Sequence, residues 1–426
     1  MGALAVADLA ALKNSKDALA RVIRETKAKL RALNPNYATA FRAMEDDIRR
    51  EVDGIVSRRE RDEAIVPEIA YADVKAGRVS DSAIASVRRT GTAVIRGVFP
   101  RAQAEDWNEQ LGEYISANGY YDQKIDPNLD KYFSTLKSDR PQIFGIYWSK
   151  PQIQARQSES LAAARAFLNS LWRHDGEGKT WFDPKRETIY ADRTRRRQPG
   201  DVSLGLSPHM DAGSVERWID EGYQRVYRHV FSGDIARYDP FDGAWRTATS
   251  EIPSPAVCSV FRTYQGWTAL TPQGPGDGTL QLIPIARGIA YMLLRALQDD
   301  VPADELCGAQ PARALSALPD WHPALMPALS PIPLVQPGDT VWWHPDIVHA
   351  VEDRHGGQGY SNVIYIGGAP WCEKNAAYLP RQAERFLKGE SAPDFAPENY
   401  EVAYKGRATS ADLTDLGKKQ MGLVAW

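Results

Sequence analysis

Ser207-Pro208-His209-Met210-Asp211 gains its meaning from a second stretch far downstream, Gly338-Asp339-Thr340-Val341-Trp342-Trp343-His344-Pro345-Asp346-Ile347-Val348-His349. Side chains alternate across a strand, so His209 and Asp211 project from one face and are able to hold the same metal ion. A third ligand is then needed. His349, at the far end of a Gly-Asp turn followed by a β-rich run, is the best-placed candidate. Two histidines and one carboxylate on one side of a metal leave the opposite side open, which is the arrangement of non-haem Fe(II) oxygenases. An isolated His-x-Asp arises by chance in many chains. Its weight here comes from order: a β-rich segment carrying the pair, further strands, then Gly-Asp, an apolar strand and a late His.

His344 competes with His349 for the third position. The two are five residues apart, an odd number, so in a regular strand they face opposite ways and only one can join His209 and Asp211. The remaining histidines, His174, His229, His322 and His355, have no metal-like partners nearby in sequence and read as surface or core hydrogen-bonding groups.

At 426 residues, 43% hydrophobic and 25% charged, the composition is that of an ordinary soluble globular protein. One double-stranded β-helix with helical extensions absorbs this length, so length alone does not require two domains. A formal net charge of −3 gives no global field favouring nucleic acid or an anionic membrane surface. Three cysteines, Cys258, Cys307 and Cys372, lack metal-site spacing and are odd in number, so no disulfide framework is expected and a reducing interior fits. The first residues have neither the basic region of a signal peptide nor the myristoylation pattern, and no run of about twenty apolar residues predicts a membrane-spanning helix. The expectation is a cytoplasmic protein of undetermined oligomeric state.

Residues 1–185 read as a helical region with a first strand. Leu19, Val22, Ile23, Leu30 and Leu33 form one apolar stripe, and Phe41, Met44, Ile48, Val52 and Ile55 a second, with Asn34-Pro35 between them. Thr92–Gly97 is a strand, Pro100 starts a helix lined by Trp107, Leu111, Tyr114 and Ile115, and residues 152–172 form another helix. Residues 186–370 change to short β-rich runs broken by Gly, Pro and Asp, interrupted by one helical stripe at Ile289, Met292, Leu293, Ala296 and Leu297. Such an insertion is compatible with a jelly roll, which accepts loops at the ends of its two sheets. Residues 371–426 read as a helical tail. No internal repeat is evident.

Ser207–Asp211, the pair Gly266–Pro272 and Gly278–Pro284, and Gly338–His349 resemble the phytanoyl-CoA hydroxylase-like branch of the Fe(II)/2-oxoglutarate dioxygenases. With Gly213–Trp218 and Ala369–Asn375 added, the chain is more closely similar to the YbiU-like family of unknown function, over most of its length. The resemblance implies a mainly β fold with helical additions: a double-stranded β-helix (jelly roll, cupin-like) core flanked by N-terminal and C-terminal helices, acting as one catalytic domain over 1–426. It picks His349 rather than His344 as the ligand. It implies Fe(II) as cofactor, 2-oxoglutarate as co-substrate with O2, decarboxylation to succinate and CO2, and oxidation of a small-molecule substrate whose identity it leaves open.

The distal carboxylate of 2-oxoglutarate needs a buried cation, ordinarily an arginine whose planar fork grips both oxygens. In the resembled enzymes this arginine lies a short way beyond the last His, but Gly359–Tyr365 holds no cation. Arg262, in the β-rich run Val260–Tyr264 where a charge is costly unless paired, is the replacement candidate, with Ser361 and Asn362 adding hydrogen bonds. An outer-strand position on a solvated face is the competing reading for Arg262. Arg354 falls in a Gly-rich loop that reads as a lid. Arg193-Thr194-Arg195-Arg196-Arg197 reads as a solvated loop, or as a basic mouth that attracts an acidic substrate. Tyr120, Tyr121, Tyr132, Phe133, Tyr147 and Trp148 read as core, or as the wall of a pocket. The missing arginine keeps two other functions in play: a non-catalytic β-helix protein binding a small ligand, and a hydrolase holding Zn2+ with an open water position.

Overall fold

The computed structural model describes residues 11–123, 141–204, 207–255 and 257–426. Two helices open it, α1 (Lys16–Leu33) and α2 (Tyr37–Glu60), parted at Asn34-Pro35 as the stripes require. Ser15 caps α1 by accepting the Ala18 N–H, satisfying one of the end donors that no helical carbonyl can reach. Met44, Ile48, Val52 and Ile55 are all buried on α2, and a fully buried side chain of this size stabilises by roughly 1.5–3 kcal/mol. α3 (Asp81–Thr90) and α4 (Arg101–Ala117) follow. Where the sequence suggested one helix there are two, α5 (Lys150–Arg156) and α6 (Glu159–Ser170), because Ser158 adopts extended geometry and caps the second by accepting the Ser160 N–H. α7 (Gly288–Arg295) is buried in the core up to its last residue, Arg295, and its Tyr291 stacks on Phe41 of α2. α8 (Glu373–Lys388) belongs to the tail.

Two larger sheets carry the remaining architecture. In chain order the strands are β1 (Glu68–Ala70), β2 (Thr92–Arg96), β3 (Ile143–Phe144), β4 (Asp183–Thr188), β5 (Thr194–Arg197), β6 (His209–Met210) and β7 (Gln265–Ala269). Then come β8 (Leu280–Leu282), β9 (Leu315–Ser316), β10 (Ser330–Pro331), β11 (Thr340–Trp343), β12 (His349–Val351), β13 (Ser361–Tyr365) and β14 (Ala369–Trp371). The first sheet runs β1-β2-β11-β7-β13-β5-β3 and the second β9-β6-β12-β8-β10. β4 pairs with β14 in a separate ribbon. From β5 onward the pairing is nested: β5 with β13, β6 with β12, β7 with β11 and β8 with β10, each antiparallel. Trp267, Ala269, Leu280, Leu282, Val341, Trp343 and Val363 fill the space between the two sheets.

The architecture is therefore mixed α and β with several sheets, where the sequence suggested mainly β. Residues 216–231 form three short helical segments, Glu216–Ile219, Glu221–Val226 and Arg228–Phe231, within the stretch read as β-rich. Each is too short for a 3.6-residue period to repeat twice, so the periodic signal is absent. Tyr120, Tyr147 and Trp148 are buried core residues and Tyr121 is exposed; Tyr132 and Phe133 lie outside the described residues. Among the described residues no helix is long and apolar enough to cross a membrane, and the three cysteines are buried thiols.

Candidate metal centre

The Gly338-Asp339 turn shows how the sequence sets up the late histidine. Gly338 has φ +93°, and a Cβ there would lie 2.2 Å from the Phe99 carbonyl oxygen, so only glycine fits. The Asp339 carboxylate then accepts from Gln336 N, Gly97 N and Arg96 Nη1, tying the turn to β2. β11 runs from this turn in the first sheet. After Trp343 the chain leaves that sheet, turns through Pro345–Ile347, and begins β12 in the second sheet at His349. His344 and His349 thus share no strand. The odd-number argument has no continuous strand to act on, because the chain changes sheet between the two residues.

His349 stands directly opposite His209 in the β6–β12 register, their ring centroids 4.5 Å apart. Asp211, just past β6, joins them: its Oδ1 lies 3.3 Å from His209 Nε2 and its Oδ2 3.5 Å from His349 Nε2. One ligand atom from each residue falls within 4.8 Å of the others. The Nδ1 of His209 faces the Ser207 carbonyl at 2.7 Å and that of His349 faces the Ile347 carbonyl at 3.3 Å. With Nδ1–H donating to those carbonyls, both Nε2 lone pairs point toward a carboxylate that also offers only lone pairs. Three acceptors converging with no donor between them is the donor set a cation fills, and neutral imidazoles with an ionised carboxylate suit a divalent transition metal.

Electrostatics within the trio agree with its geometry. Burial pushes the Asp211 carboxyl up, but the adjacent His349 and His209 rings outweigh this and hold it well below the usual carboxylate range. Burial lowers His349, with the charge on His209 adding to it. Burial also works against the charged form of His209, yet Asp211 prevails and raises it, because a protonated Nε2 would donate to that carboxylate; a bound cation takes the place of that proton. Asp211 is further fixed by Gln265, whose Nε2 donates to Oδ2 at 2.6 Å while its Oε1 accepts from Trp343 Nε1. No sequence signal marked this neutral residue; it shows only once β7 and β11 are paired at Gln265 and Trp343.

His344 lies apart from the trio. It is fully buried and stacked on Trp172 at 4.7 Å, with Nε2 donating to the Pro240 carbonyl and Nδ1 accepting the Asp346 N–H. Burial lowers it to about 3, so it is a neutral structural ring.

The trio opens on a cavity of about 150 Å³ walled by Trp267, Leu280, Trp343 and Tyr365, and by arginines. Thr194–Arg197 of the basic run form strand β5, so the run is not a solvated loop. Arg195 and Arg197 line the cavity and are buried, while Arg196 turns outward to the Asn108 carbonyl. Arg197 is committed to four carbonyls, those of Gly278, Glu352, Asp201 and Asp353. Arg195 donates to the neutral Gln273 Oε1 at 3.2 Å, and its Nε has no acceptor among the described residues. Arg262 also faces the cavity, 5.4 Å over the Tyr190 ring. The Ser361 hydroxyl donates to Gln273 Oε1 and so reaches Arg195 indirectly, whereas the Asn362 amide points to Asn108. Arg354 is exposed, its backbone bridged to Val202. An alternating strand read over 193–197 would have separated inward from outward arginines; composition alone made the run look solvated.

Comparison with known proteins places this geometry in a family. YbiU of Escherichia coli K12, an uncharacterized protein, is 45% identical over 403 residues, covering 94% of this chain and 96% of the relative. A solved structure from Salmonella typhimurium LT2, provisionally named an oxidoreductase, superposes with a TM-score of 0.90 at 43% identity, covering 96% of this chain and 97% of that one. The product of GlcNAc Inducible Gene 2 from Candida albicans superposes with a TM-score of 0.80 at 25% identity, covering 94% and 89% of the two chains. The Gig2-like family matches residues 17–423, and the chain belongs to it.

Proposed function

We propose that this protein is a non-haem Fe(II)- and 2-oxoglutarate-dependent oxygenase of the phytanoyl-CoA hydroxylase-like branch, a cytoplasmic enzyme that hydroxylates or otherwise oxidises a small molecule. The observation that carries the reading is the convergence of His209, Asp211 and His349 at one end of a cavity with buried arginines on its walls. The nested pairing of β5 to β13 across two sheets supports a double-stranded β-helix, in which eight strands fold as one long hairpin rolled into two sheets. We take the whole chain as one catalytic domain around it.

His209, Asp211 and His349 would hold the iron, and the residues present fit that role. When bound, Fe(II) with 2-oxoglutarate and O2 supplies oxidation of a substrate carbon with release of succinate and CO2. The protein's own contribution is orientation. The carbonyls of Ser207 and Ile347 hold each imidazole with Nε2 inward, and Gln265 fixes one carboxylate oxygen. Trp267, Trp343 and Tyr365 keep water from the reacting carbon. We assign the distal carboxylate of 2-oxoglutarate to Arg195, supported through Gln273 by Ser361. Arg262, expected in that role from sequence, receives a different one below.

The test is anaerobic titration of Fe(II)-loaded protein with 2-oxoglutarate, following the visible charge-transfer band of the chelate. The parent develops the band; His209→Ala, Asp211→Ala and His349→Ala lose stoichiometric iron while remaining folded, and His344→Ala keeps it. Iron lost in His344→Ala but retained in His349→Ala refutes the ligand assignment. Succinate release that depends on both O2 and iron separates the oxygenase from a zinc hydrolase and from a non-catalytic binder.

A further inference from the structure

Resting on the oxygenase reading, we infer that the substrate is a small carboxylic acid with an apolar body, its carboxylate held by Arg262. Arg262 is 9% exposed and forms no hydrogen bond or ion pair among the described residues; the Tyr190 ring covers one face of its guanidinium. With no acceptor among those residues, its N–H donors face the cavity, where a largely buried guanidinium left unpaired is costly. A cation stacked on an aromatic face keeps its in-plane edge free, and that edge matches the two oxygens of a carboxylate. The nearest acids are engaged elsewhere. Asp211 serves the two histidines and Gln265, while Asp192 accepts the Arg193 N–H and lies 3.7 Å from Arg193 Nε.

Sheet register separates Arg262 from Arg195. Gln265 marks the metal level on β7, where it meets Asp211. Arg195 lies level with Val363 and Ala269, four residues further along that strand, or roughly 13 Å at the usual rise. Arg262 precedes Gln265 by three residues, on the other side of the metal level. One five-carbon diacid chelated at the metal therefore extends toward one arginine and leaves the second.

The charge inventory points the same way. The cavity wall carries four arginines, Arg193, Arg195, Arg197 and Arg262, against two aspartates, Asp192 and Asp211. A divalent metal and doubly charged 2-oxoglutarate cancel one another, so the wall's excess of two positive charges persists when both are bound. An anionic substrate offsets that excess; a neutral or cationic one does not. Trp267, Trp343, Tyr365 and Leu280 line the same cavity, and such apolar surface suits an aliphatic or aromatic body.

The experiment is calorimetric titration, without O2, of protein loaded with redox-inert Mn(II) and saturating 2-oxoglutarate. The probes are acid and amide pairs: benzoate with benzamide, phenylacetate with phenylacetamide, hexanoate with hexanamide. The expected result is an acid bound about tenfold to a hundredfold tighter than its amide. Arg262→Leu removes that preference and keeps the parent's 2-oxoglutarate affinity, while Arg195→Leu weakens 2-oxoglutarate. Arg262→Lys, which keeps the charge without the fork, retains part of the preference. Absence of acid preference in every pair overturns the proposal, as does loss of 2-oxoglutarate affinity in Arg262→Leu with none in Arg195→Leu. A parent that takes no 2-oxoglutarate refutes the oxygenase reading instead, and the acid and amide comparison then tests Arg262 alone.

Discussion

Asp346→Asn removes one charge that two buried arginines share. Asp346 Oδ1 accepts from Arg217 Nη1 at 2.6 Å and from the Tyr227 hydroxyl at 2.9 Å, and Oδ2 accepts from Arg246 Nη2 at 2.9 Å. All three ionic partners are enclosed, Asp346 at 1% exposure. Burial alone would push the carboxyl up, but Arg246 and Arg217 hold it far below the usual carboxylate range. Asparagine keeps the shape, cancels the charge and presents an amide N–H to guanidinium donors. Breaking one buried pair in this way costs about 3–5 kcal/mol. Two pairs depend on this carboxylate, so the loss should sit near the upper figure, a large part of the roughly 5–15 kcal/mol typical of a folded protein. Urea unfolding followed by tryptophan fluorescence reads the loss as a lower midpoint. Asp346 also stands three residues before His349, so metal titration should show affinity reduced about tenfold to a hundredfold. An Asp346→Asn protein with the parent's midpoint and metal affinity would refute the claim that this carboxylate holds the loop.

Gln265→Leu should lower metal affinity about tenfold to a hundredfold with the fold intact, because Asp211 loses the donor that fixes one of its oxygens; unchanged affinity in a folded variant removes Gln265 from the site. His344→Gln should alter the pH dependence of stability. Burial holds the folded His344 at about 3, so between about pH 6.5 and 3 the unfolded chain takes up a proton that the native state refuses, and the parent loses about 1.4 kcal/mol per unit of falling pH. The variant lacks this loss, so its stability deficit relative to the parent should shrink as pH drops below 6.5; a constant deficit refutes the neutral buried ring. The measurement is a difference between variant and parent, since burial raises Glu187 and Glu401 from the ordinary 4.5 to about 7 and gives them the opposite sign over the upper part of that range.

The two N-terminal helices were legible because their apolar stripes run long enough for the 3.6-residue period to declare itself. The residues His209, Asp211 and His349 were legible as a set because chemistry selects residue types and order. The parity argument that only one of His344 and His349 joins the pair presumes a continuous strand, and a sheet change intervenes that periodicity does not reveal; the choice of His349 came from the resemblance. Arg195 and Arg197 were hidden by composition: five residues with four arginines look solvated until β13 on one side and β3 on the other bury them. Gln265 was invisible for a different reason. A neutral amide in a β-run has no chemical signature until its cross-strand partner is known.

The strands that carry the ligands are short, two residues for β6 and three for β12. Ladder hydrogen bonds over such lengths fix little on their own, because few backbone groups are paired and each end is free to fray. Precision at the trio must then come from outside the ladder. The Ser207 and Ile347 carbonyls set the ring planes, and the Trp343–Gln265 relay sets the carboxylate. Behind them the Arg217–Asp346–Arg246 cluster clamps the crossing between sheets, and His344 is wedged against Trp172. Gly91 closes the same crossing from the far side: its carbonyl accepts the His344 N–H at 2.7 Å, and a Cβ there would meet Ile347 Cδ1 at 2.8 Å. These groups are buried and polar, a costly way to build a core unless each is satisfied. Their convergence on Trp343–His349 follows from what the site requires, a histidine kept at a fixed angle although its own strand is too short to hold it.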